Sequence, residues 1–426
     1  MGLPMDKFVV EGGNRLEGTV AIGGAKNSAL KLMAASLLAE GHTVIQNVPR
    51  IVDCATMAEV LEHLGASVSR DDHIVHIDTS GVHSQETPYE LVNRMRASII
   101  VLGPLLARYG RARVAMPGGC NIGSRSIDLH MRGLERMGAR FEFEHGYLEA
   151  AGDLRGAVVT LDFPSVGATE NLMMAAVGAR GTSVIENAAR EPEIIDLAQF
   201  LSSMGGRIQG AASPTIEIEG VERFRPAQHS VIPDRIEAGT FAIAVCATEG
   251  DVALQGARGD HLDLPLSKLA EAGAEIRLEP DGFGVRMEQR PLSVDFVTLP
   301  YPGFATDLQP QMMAMLASAR ETSILTENVF ESRFMFVDEL IRMGAEIRVE
   351  GHHAVIRGTE RLSAAPVRAL DIRAGAAMVI AALTAEGVTE ISDVHYVDRG
   401  YEDFEGKLSA LGARIRRERE HAPAYA

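Results

Sequence analysis

Two stretches carry residue types able to bind and transform an anion. Gly23-Gly24-Ala25-Lys26-Asn27-Ser28 reads as a glycine-rich turn opening a helix. Free backbone N–H groups and the positive end of a helix favour an anion there, and Lys26 adds a full charge. The glycine spacing and ending of a Walker loop are absent, and a plain helix start is the competing reading. Pro117-Gly118-Gly119-Cys120-Asn121-Ile122-Gly123-Ser124-Arg125-Ser126-Ile127-Asp128-Leu129-His130 sets three glycines around a cysteine. Such a loop lets backbone approach a ligand, and Arg125 offers a planar donor fork for phosphate or carboxylate. A cysteine beside cations is partly ionised. The other reading, a small buried hydrophobe, suits Cys54 and Cys246; for Cys120 both stay open.

Further polar clusters fall at expected helix starts or loops: Ser165-Val166-Gly167-Ala168-Thr169, Arg190-Glu191-Pro192-Glu193, Pro233-Asp234-Arg235-Ile236-Glu237, Thr306-Asp307, Asp371-Ile372-Arg373 and Asp398-Arg399-Gly400-Tyr401. Taken singly, each acidic–basic pair reads as a surface ion pair of little energetic weight. They gain meaning from a repeat that could carry them to one cleft. Leu64-Gly65-Ala66, Met137-Gly138-Ala139, Met204-Gly205-Gly206, Ala272-Gly273-Ala274, Met343-Gly344-Ala345 and Leu411-Gly412-Ala413 each close an apolar-periodic segment, their glycines 73, 67, 68, 71 and 68 residues apart. Six copies of one supersecondary unit follow from that spacing.

The first copy shows the content. Leu30, Met33, Ala34, Leu37 and Leu38 fall on one face of a helix that Gly41 stops, and Thr43 to Val48 reads as a strand. Asp53 is placed to cap a second helix with the stripe Met57, Val60, Leu61 and Leu64, which Gly65 ends before a strand from Ala66 to Ser69. The order returns at Asn171 to Met204 and at Arg373 to Leu411. The glycines terminate helices and carry fold, not chemistry.

The chain has 426 residues, 46% hydrophobic, with a formal charge of −17. Length predicts two or three domains. The acidity opposes non-specific binding to nucleic acid or acidic membrane, so an anionic substrate must meet a local cluster of cations. Three scattered cysteines indicate neither a disulfide framework nor a metal site and suit a reducing cytoplasm. The N-terminus shows no basic region followed by an apolar stretch, and the stretch around Ile99 to Ala107 is too short to span a bilayer.

Together, Gly24-Ala25-Lys26-Asn27, Met95-Arg96-Ala97-Ser98, Pro117-Gly118-Gly119-Cys120, Ser165 to Thr169, Asn187-Ala188-Ala189-Arg190-Glu191-Pro192-Glu193, Pro233 to Glu237 and Asp398 to Tyr401 resemble, in order and spacing over nearly the whole chain, the UDP-N-acetylglucosamine 1-carboxyvinyltransferases of the EPSP synthase superfamily. The resemblance implies an α/β fold, an inside-out α/β barrel of two globular domains, each of three βαβαββ repeats. Residues 1–23 and 233–426 would form a discontinuous domain completed by the chain's first strand. Residues 24–232 would form an inserted domain carrying the cysteine loop, with the ligand cleft between the two.

The implied activity is transfer of the enolpyruvyl group of phosphoenolpyruvate to the 3-hydroxyl of UDP-N-acetylglucosamine, the step that opens peptidoglycan precursor synthesis. By the same resemblance Lys26, Asn27, Arg125 and Arg399 take phosphoenolpyruvate. Asp307 removes the hydroxyl proton, and Cys120 serves as proton donor or adduct-forming nucleophile and as the residue alkylated by fosfomycin. Asn27, Arg96, Arg125, Ser126, Ile127, Asp128, Leu129, Ser165, Val166, Gly167, Asp307 and Val329 map to the nucleotide-sugar, with Ile127, Leu129 and Val329 as backbone or packing contacts. Neither a redox cofactor nor a metal is implied, and the expected partners are small molecules only. The chain departs from the family pattern at Phe163, where some relatives carry lysine, and at Phe336, where histidine is expected. A shikimate-pathway transferase, a transferase with another acceptor and a non-catalytic nucleotide-sugar-binding paralogue are the competing readings.

Overall fold

The computed structural model describes residues 6–116 and 127–419. The chain divides into two units, one of residues up to Gly23 and from Pro233 onward, the other from Gly24 to Ile232. The described residues form six four-stranded sheets and one small two-stranded one. All six share one pairing scheme: an edge strand parallel to its neighbour, then two antiparallel steps. Each repeat runs edge strand, inner helix, strand, outer helix, strand, strand.

The six marked glycines all lie at positive φ, between 90° and 110°, each closing an outer helix. Glycine has no Cβ to oppose that conformation, so the chain turns from helix to strand there without strain. The outer helices are Val52–His63, Asp128–Arg136 and Pro192–Ser203 in the inserted unit, and Asp263–Glu271, Val337–Arg342 and Phe404–Ala410 in the other. The inner helices are Lys26–Ala35, Leu102–Tyr109 and Val166–Ala176, and Arg235–Ala247, Gln309–Leu316 and Ile372–Thr384.

The expectation of a one-sided apolar helix at Leu30 to Leu38 is corrected: in Lys26–Ala35 every residue but Asn27 is buried. The inner helices pack against one another and against outer helices as well as against the sheets, so this one is buried all round, the position of a core helix, its polar Lys26, Ser28 and Lys31 included. Each unit has its own core, one built around Leu32, Met33, Leu172 and Phe200, the other around Phe241, Met313, Val379 and Phe283. In the sixth repeat the inner helix Ile372–Thr384 falls where expected, and the last outer helix begins at Phe404, after the left-handed Asp403.

Two edge strands are exchanged where the chain crosses. Glu17–Ala21 runs straight into helix Lys26–Ala35 yet pairs in parallel with Asp251–Gln255, a strand of the discontinuous unit. Gln228–Ser230 runs into helix Arg235–Ala247 yet pairs with His42–Gln46 of the inserted unit. The first strand, Asp6–Glu11, inserts between Val388–Ser392 and Arg414–Arg419 to complete the sixth sheet.

Candidate active site

In the inserted unit the glycine turn is not the open anion cradle that its composition suggests. Ala25 N donates to Ile232 O at 2.7 Å, and Gly24 packs so tightly on Asn47 that an added Cβ would lie 1.7 Å from its carbonyl oxygen. The glycine is needed for that close approach. Lys26 opens the inner helix, and its Nζ lies 2.7 Å from Asp53 Oδ2. Asp53 is therefore a charge partner inside the first turn of its helix, not the cap; Ile51 occupies that position. Asn27 follows Lys26 in the same turn, half-buried.

Several residues mapped to the nucleotide-sugar gather around a side chain that the sequence reading passed over, His130. Helix Asp128–Arg136 carries it, along with exposed Asp128 and half-buried Leu129, while Ile127 packs into the core. Ser165 caps helix Val166–Ala176, accepting from Ala168 N at 3.4 Å. Gly167, in its first turn, sits so that a Cβ would meet the His130 ring at 3.4 Å. Asn171, one turn on, fixes the tautomer. Its Oδ1 accepts from Gly103 N at 2.6 Å, which leaves its Nδ2 to face His130 Nδ1 at 3.0 Å and makes that nitrogen the acceptor. Burial, with the charge of Arg96 added, pushes the imidazole down to about 4. His130 is thus neutral at physiological pH, an apolar-walled donor beside the first turn of helix Val166–Ala176.

Beneath those helix starts lies a carboxyl cluster. Glu170 is fully buried, its oxygens have no hydrogen-bond partner, and Lys31 Nζ stands 3.4 Å away. Burial, with Glu193 and Glu191 adding like charge, raises Glu170 to about 8 against the pull of Lys31. Glu191 and Glu193, expected in a surface ion pair, are 7% and 3% exposed. Phe163 is solvent-facing at 38% exposure where a cation was expected.

In the discontinuous unit Asp307 stands in the single 3-10 turn Thr306–Leu308 that precedes helix Gln309–Leu316. Two buried arginines grip it: Arg333 Nη2 reaches Oδ1 at 2.9 Å and Arg373 Nη2 reaches Oδ2 at 3.1 Å. The grip is itself supported. Arg333 Nη1 donates to Thr306 Oγ1 at 2.8 Å, Thr306 donates to Glu327, and Glu327 accepts from Val329 N at 2.7 Å, so half-buried Val329 enters through its backbone. On the other side Arg373 lies over the ring of Tyr401, whose hydroxyl meets Thr240 at 3.0 Å and Gln311 at 3.1 Å. Burial lowers the Arg373 guanidinium, but its contact with Tyr401 and the charges of Asp307 and Asp234 outweigh that and raise it.

Asp371, left open by sequence, caps helix Ile372–Thr384 by accepting from Arg373 N and Ala374 N. In Asp398-Arg399-Gly400-Tyr401 the duties divide. Asp398 pairs with Arg417 at 2.6 Å, Gly400 admits Ile372 where a Cβ would lie 2.4 Å from it, Tyr401 is buried, and Arg399 is half-buried. Phe336 is core, 2% exposed. Cys54 and Cys246 are buried as expected, and burial pushes the Cys246 thiol up. Cys120, Arg125 and Ser126 lie outside the described residues. Sequence did not bring Arg333 to Asp307, and it left Arg373 open within Asp371-Ile372-Arg373; the two sit 26 and 66 positions from Asp307, beyond any local pattern.

A profile of the EPSP synthase (3-phosphoshikimate 1-carboxyvinyltransferase) family matches residues 10–408. The chain is 52% identical over 414 residues to the UDP-N-acetylglucosamine 1-carboxyvinyltransferase of Desulfatibacillum aliphaticivorans, covering 97% of this chain and 100% of the relative. It is 54% identical to UDP-N-acetylglucosamine 1-carboxyvinyltransferase 2 of Carboxydothermus hydrogenoformans, covering 97% and 99%. Among solved structures, the enolpyruvyl transferase NikO of Streptomyces tendae superposes with a TM-score of 0.89 at 25% identity, over 98% of this chain and 100% of that one. An EPSP synthase of Acinetobacter baumannii gives 0.75 at 17% identity over 97% and 100%, a likeness of fold.

Proposed function

The chain belongs to the EPSP synthase family, on the side of the UDP-N-acetylglucosamine 1-carboxyvinyltransferases, and we propose that it transfers the enolpyruvyl group of phosphoenolpyruvate to the 3-hydroxyl of UDP-N-acetylglucosamine with release of phosphate. The observation that carries this is identity above half, end to end, with enzymes of that name, against 17% with an EPSP synthase of the same fold. In that role the chain opens peptidoglycan precursor synthesis in the cytoplasm. Among the described residues no helix is long and apolar enough to cross a membrane.

The chemistry assigns each group a task. The sugar hydroxyl is a poor nucleophile until its proton is removed. Asp307 takes that proton as the oxygen bonds to the central carbon of phosphoenolpyruvate, and Cys120 gives one to the methylene carbon. A carboxylate whose two oxygens are each tied to a buried arginine cannot rotate away, so its remaining lone pairs are pre-aimed. The tetrahedral adduct then loses phosphate by breaking the bond from that central carbon to the phosphate oxygen, and the methyl carbon returns a proton to the Cys120 thiolate as the double bond is restored, while the proton held by Asp307 leaves with the phosphate. Lys26, Arg125 and Arg399 hold the phosphate and carboxylate as their charge redistributes. Arg96, Asp128 and the first turn from Ser165 hold the nucleotide-sugar, Asn27 serves both substrates, and neutral His130 packs against that turn without adding repulsion.

The test is phosphate release with phosphoenolpyruvate and UDP-N-acetylglucosamine together and separately. Release only with both is expected; release with shikimate 3-phosphate in place of the nucleotide-sugar would refute the reading. Cys120→Asp should abolish covalent inactivation by the epoxide fosfomycin while keeping some turnover, and mass spectrometry of the treated variant checks it.

A further inference from the structure

The chain enters and leaves each unit at neighbouring points, and both junctions are built alike. In the inserted unit the departing strand Gln228–Ser230, continued to Ile232, lies against the arriving helix, with Ala25 N donating to Ile232 O at 2.7 Å. In the discontinuous unit the departing strand Glu17–Ala21, continued to Gly23, lies against the other arriving helix, with Asp234 N donating to Gly23 O at 2.8 Å.

A buried carboxylate closes each junction. Asp196, on the outer helix of the third repeat, accepts from Ile232 N at 3.4 Å, from Ser28 Oγ, and from His229 Nε2 at 2.7 Å. Glu237 accepts from Gly23 N at 2.8 Å and from Lys407 Nζ at 2.6 Å, the lysine standing on the outer helix of the sixth repeat. Ser28 and Glu237 are each the third residue of the arriving helix. Asp196 is 1% exposed and Glu237 4%.

Burying a carboxylate is costly even when it is paired, and a joint that served packing alone would be filled as well by apolar side chains. Here two junctions with different side chains, Asp–Ser–His in one and Glu–Lys in the other, arrive at the same connection. Each fastens the start of a helix that serves the site: Lys26 and Asn27 stand on it in one unit, and in the other it carries Thr240, which meets the hydroxyl of the Tyr401 that underlies the Arg373 gripping Asp307.

We propose that Asp196 and Glu237 are positioning residues for the transfer reaction, each locking the strand that leaves its unit to the helix that enters it, so that a helix that carries reacting groups, or braces the arginine that holds one, is kept in register. The proposal rests on the function proposed above. Neither residue touches substrate. Ser28 is the link through which Asp196 acts on Lys26.

Ser28→Ala removes one hydroxyl and leaves Asp196 its bonds to His229 and Ile232; Glu237→Gln keeps shape while removing the charge opposite Lys407. Steady-state kinetics against each substrate, with thermal melting in parallel, separate the outcomes. Ser28→Ala should raise KM for phosphoenolpyruvate several-fold more than KM for the nucleotide-sugar, and Glu237→Gln should lower kcat roughly ten- to hundredfold, both melting within a few degrees of the parent. Turnover and both KM values within twofold of the parent in both variants would overturn the proposal. So would losses that rise together for both substrates and follow a drop in melting temperature. A parent protein that releases no phosphate would instead sink the functional reading, so the two failures are distinguishable.

Discussion

The same repeat, used three times in each unit, surrounds its polar centre with opposite chemistry in the two. In the inserted unit, burial outruns pairing: His130 is pushed down to about 4 and Glu170 up to about 8, so both favour their neutral forms. At Asp307 in the discontinuous unit pairing wins: the carboxylate sits between Arg333 and Arg373, and the Arg373 guanidinium is raised despite being buried, although burial raises Glu237 of the same unit even with Lys407 beside it. The fold dictates neither result. What differs is how closely counter-charges approach: Lys31 stands 3.4 Å from Glu170, whereas Arg333 and Arg373 reach Asp307 at 2.9 and 3.1 Å, one on each oxygen. The inserted unit can therefore wall a ligand with neutral groups, whereas the other keeps a carboxylate charged and fixed in place.

Deleting the carboxylate breaks this contrast most severely. Asp307→Ala should lower turnover by roughly 10²- to 10⁴-fold while calorimetric binding of UDP-N-acetylglucosamine persists; near-normal turnover would remove Asp307 as the base. Arg373→Lys comes next. Lysine keeps a charge but not the planar fork that reaches Asp307 through both Nε and Nη2, so kcat should fall at least tenfold, with a smaller change in melting temperature.

The neutral pair in the inserted unit gives the smaller, pH-dependent effects. Glu170 holds in the folded state a proton that the unfolded chain gives up near 4.5, so stability falls as pH rises from about 4.5 towards about 8. Glu170→Gln carries no such proton, and its stability relative to the parent should grow with pH, on the order of a few kcal/mol across that span in denaturant titrations. His130 acts in the other direction. Its folded value lies below the ordinary 6.5, so the unfolded chain binds a proton that the folded one refuses, and stability is lost as pH falls from 6.5 towards about 4. The full loss is roughly 3 kcal/mol by the size of the shift, and His130→Gln should flatten that acid limb.

Local features were legible in the sequence. The six glycines announce six helix ends because a left-handed stop is decided within a few residues, and all six adopt it. Cys54 and Cys246 in the core, and the cap at Asp234, were equally within reach of local reasoning. What was lost is what the chain assembles from afar. Asp53 looks like a helix cap until Lys26 is brought to it, and Asp307 looks solitary until Arg333 and Arg373 arrive. Glu191 and Glu193 look like surface charges because sequence carries no depth. The exchanged edge strands are invisible to local pattern, since each belongs by chain order to the helix it precedes and by hydrogen bonding to a sheet elsewhere; only the family resemblance implied crossings at those points.

That exchange bears on how such a molecule could be cut or built. Every strand of the three inserted sheets lies between Gly24 and Ile232, and the ends of that stretch are joined by the hydrogen bond from Ala25 to Ile232. The remaining chain ends, at Gly23 and Asp234, are likewise a hydrogen bond apart. Residues 24–232 are thus a cassette: excision would leave no sheet short of a strand, and a linker of a few residues would close the host behind it.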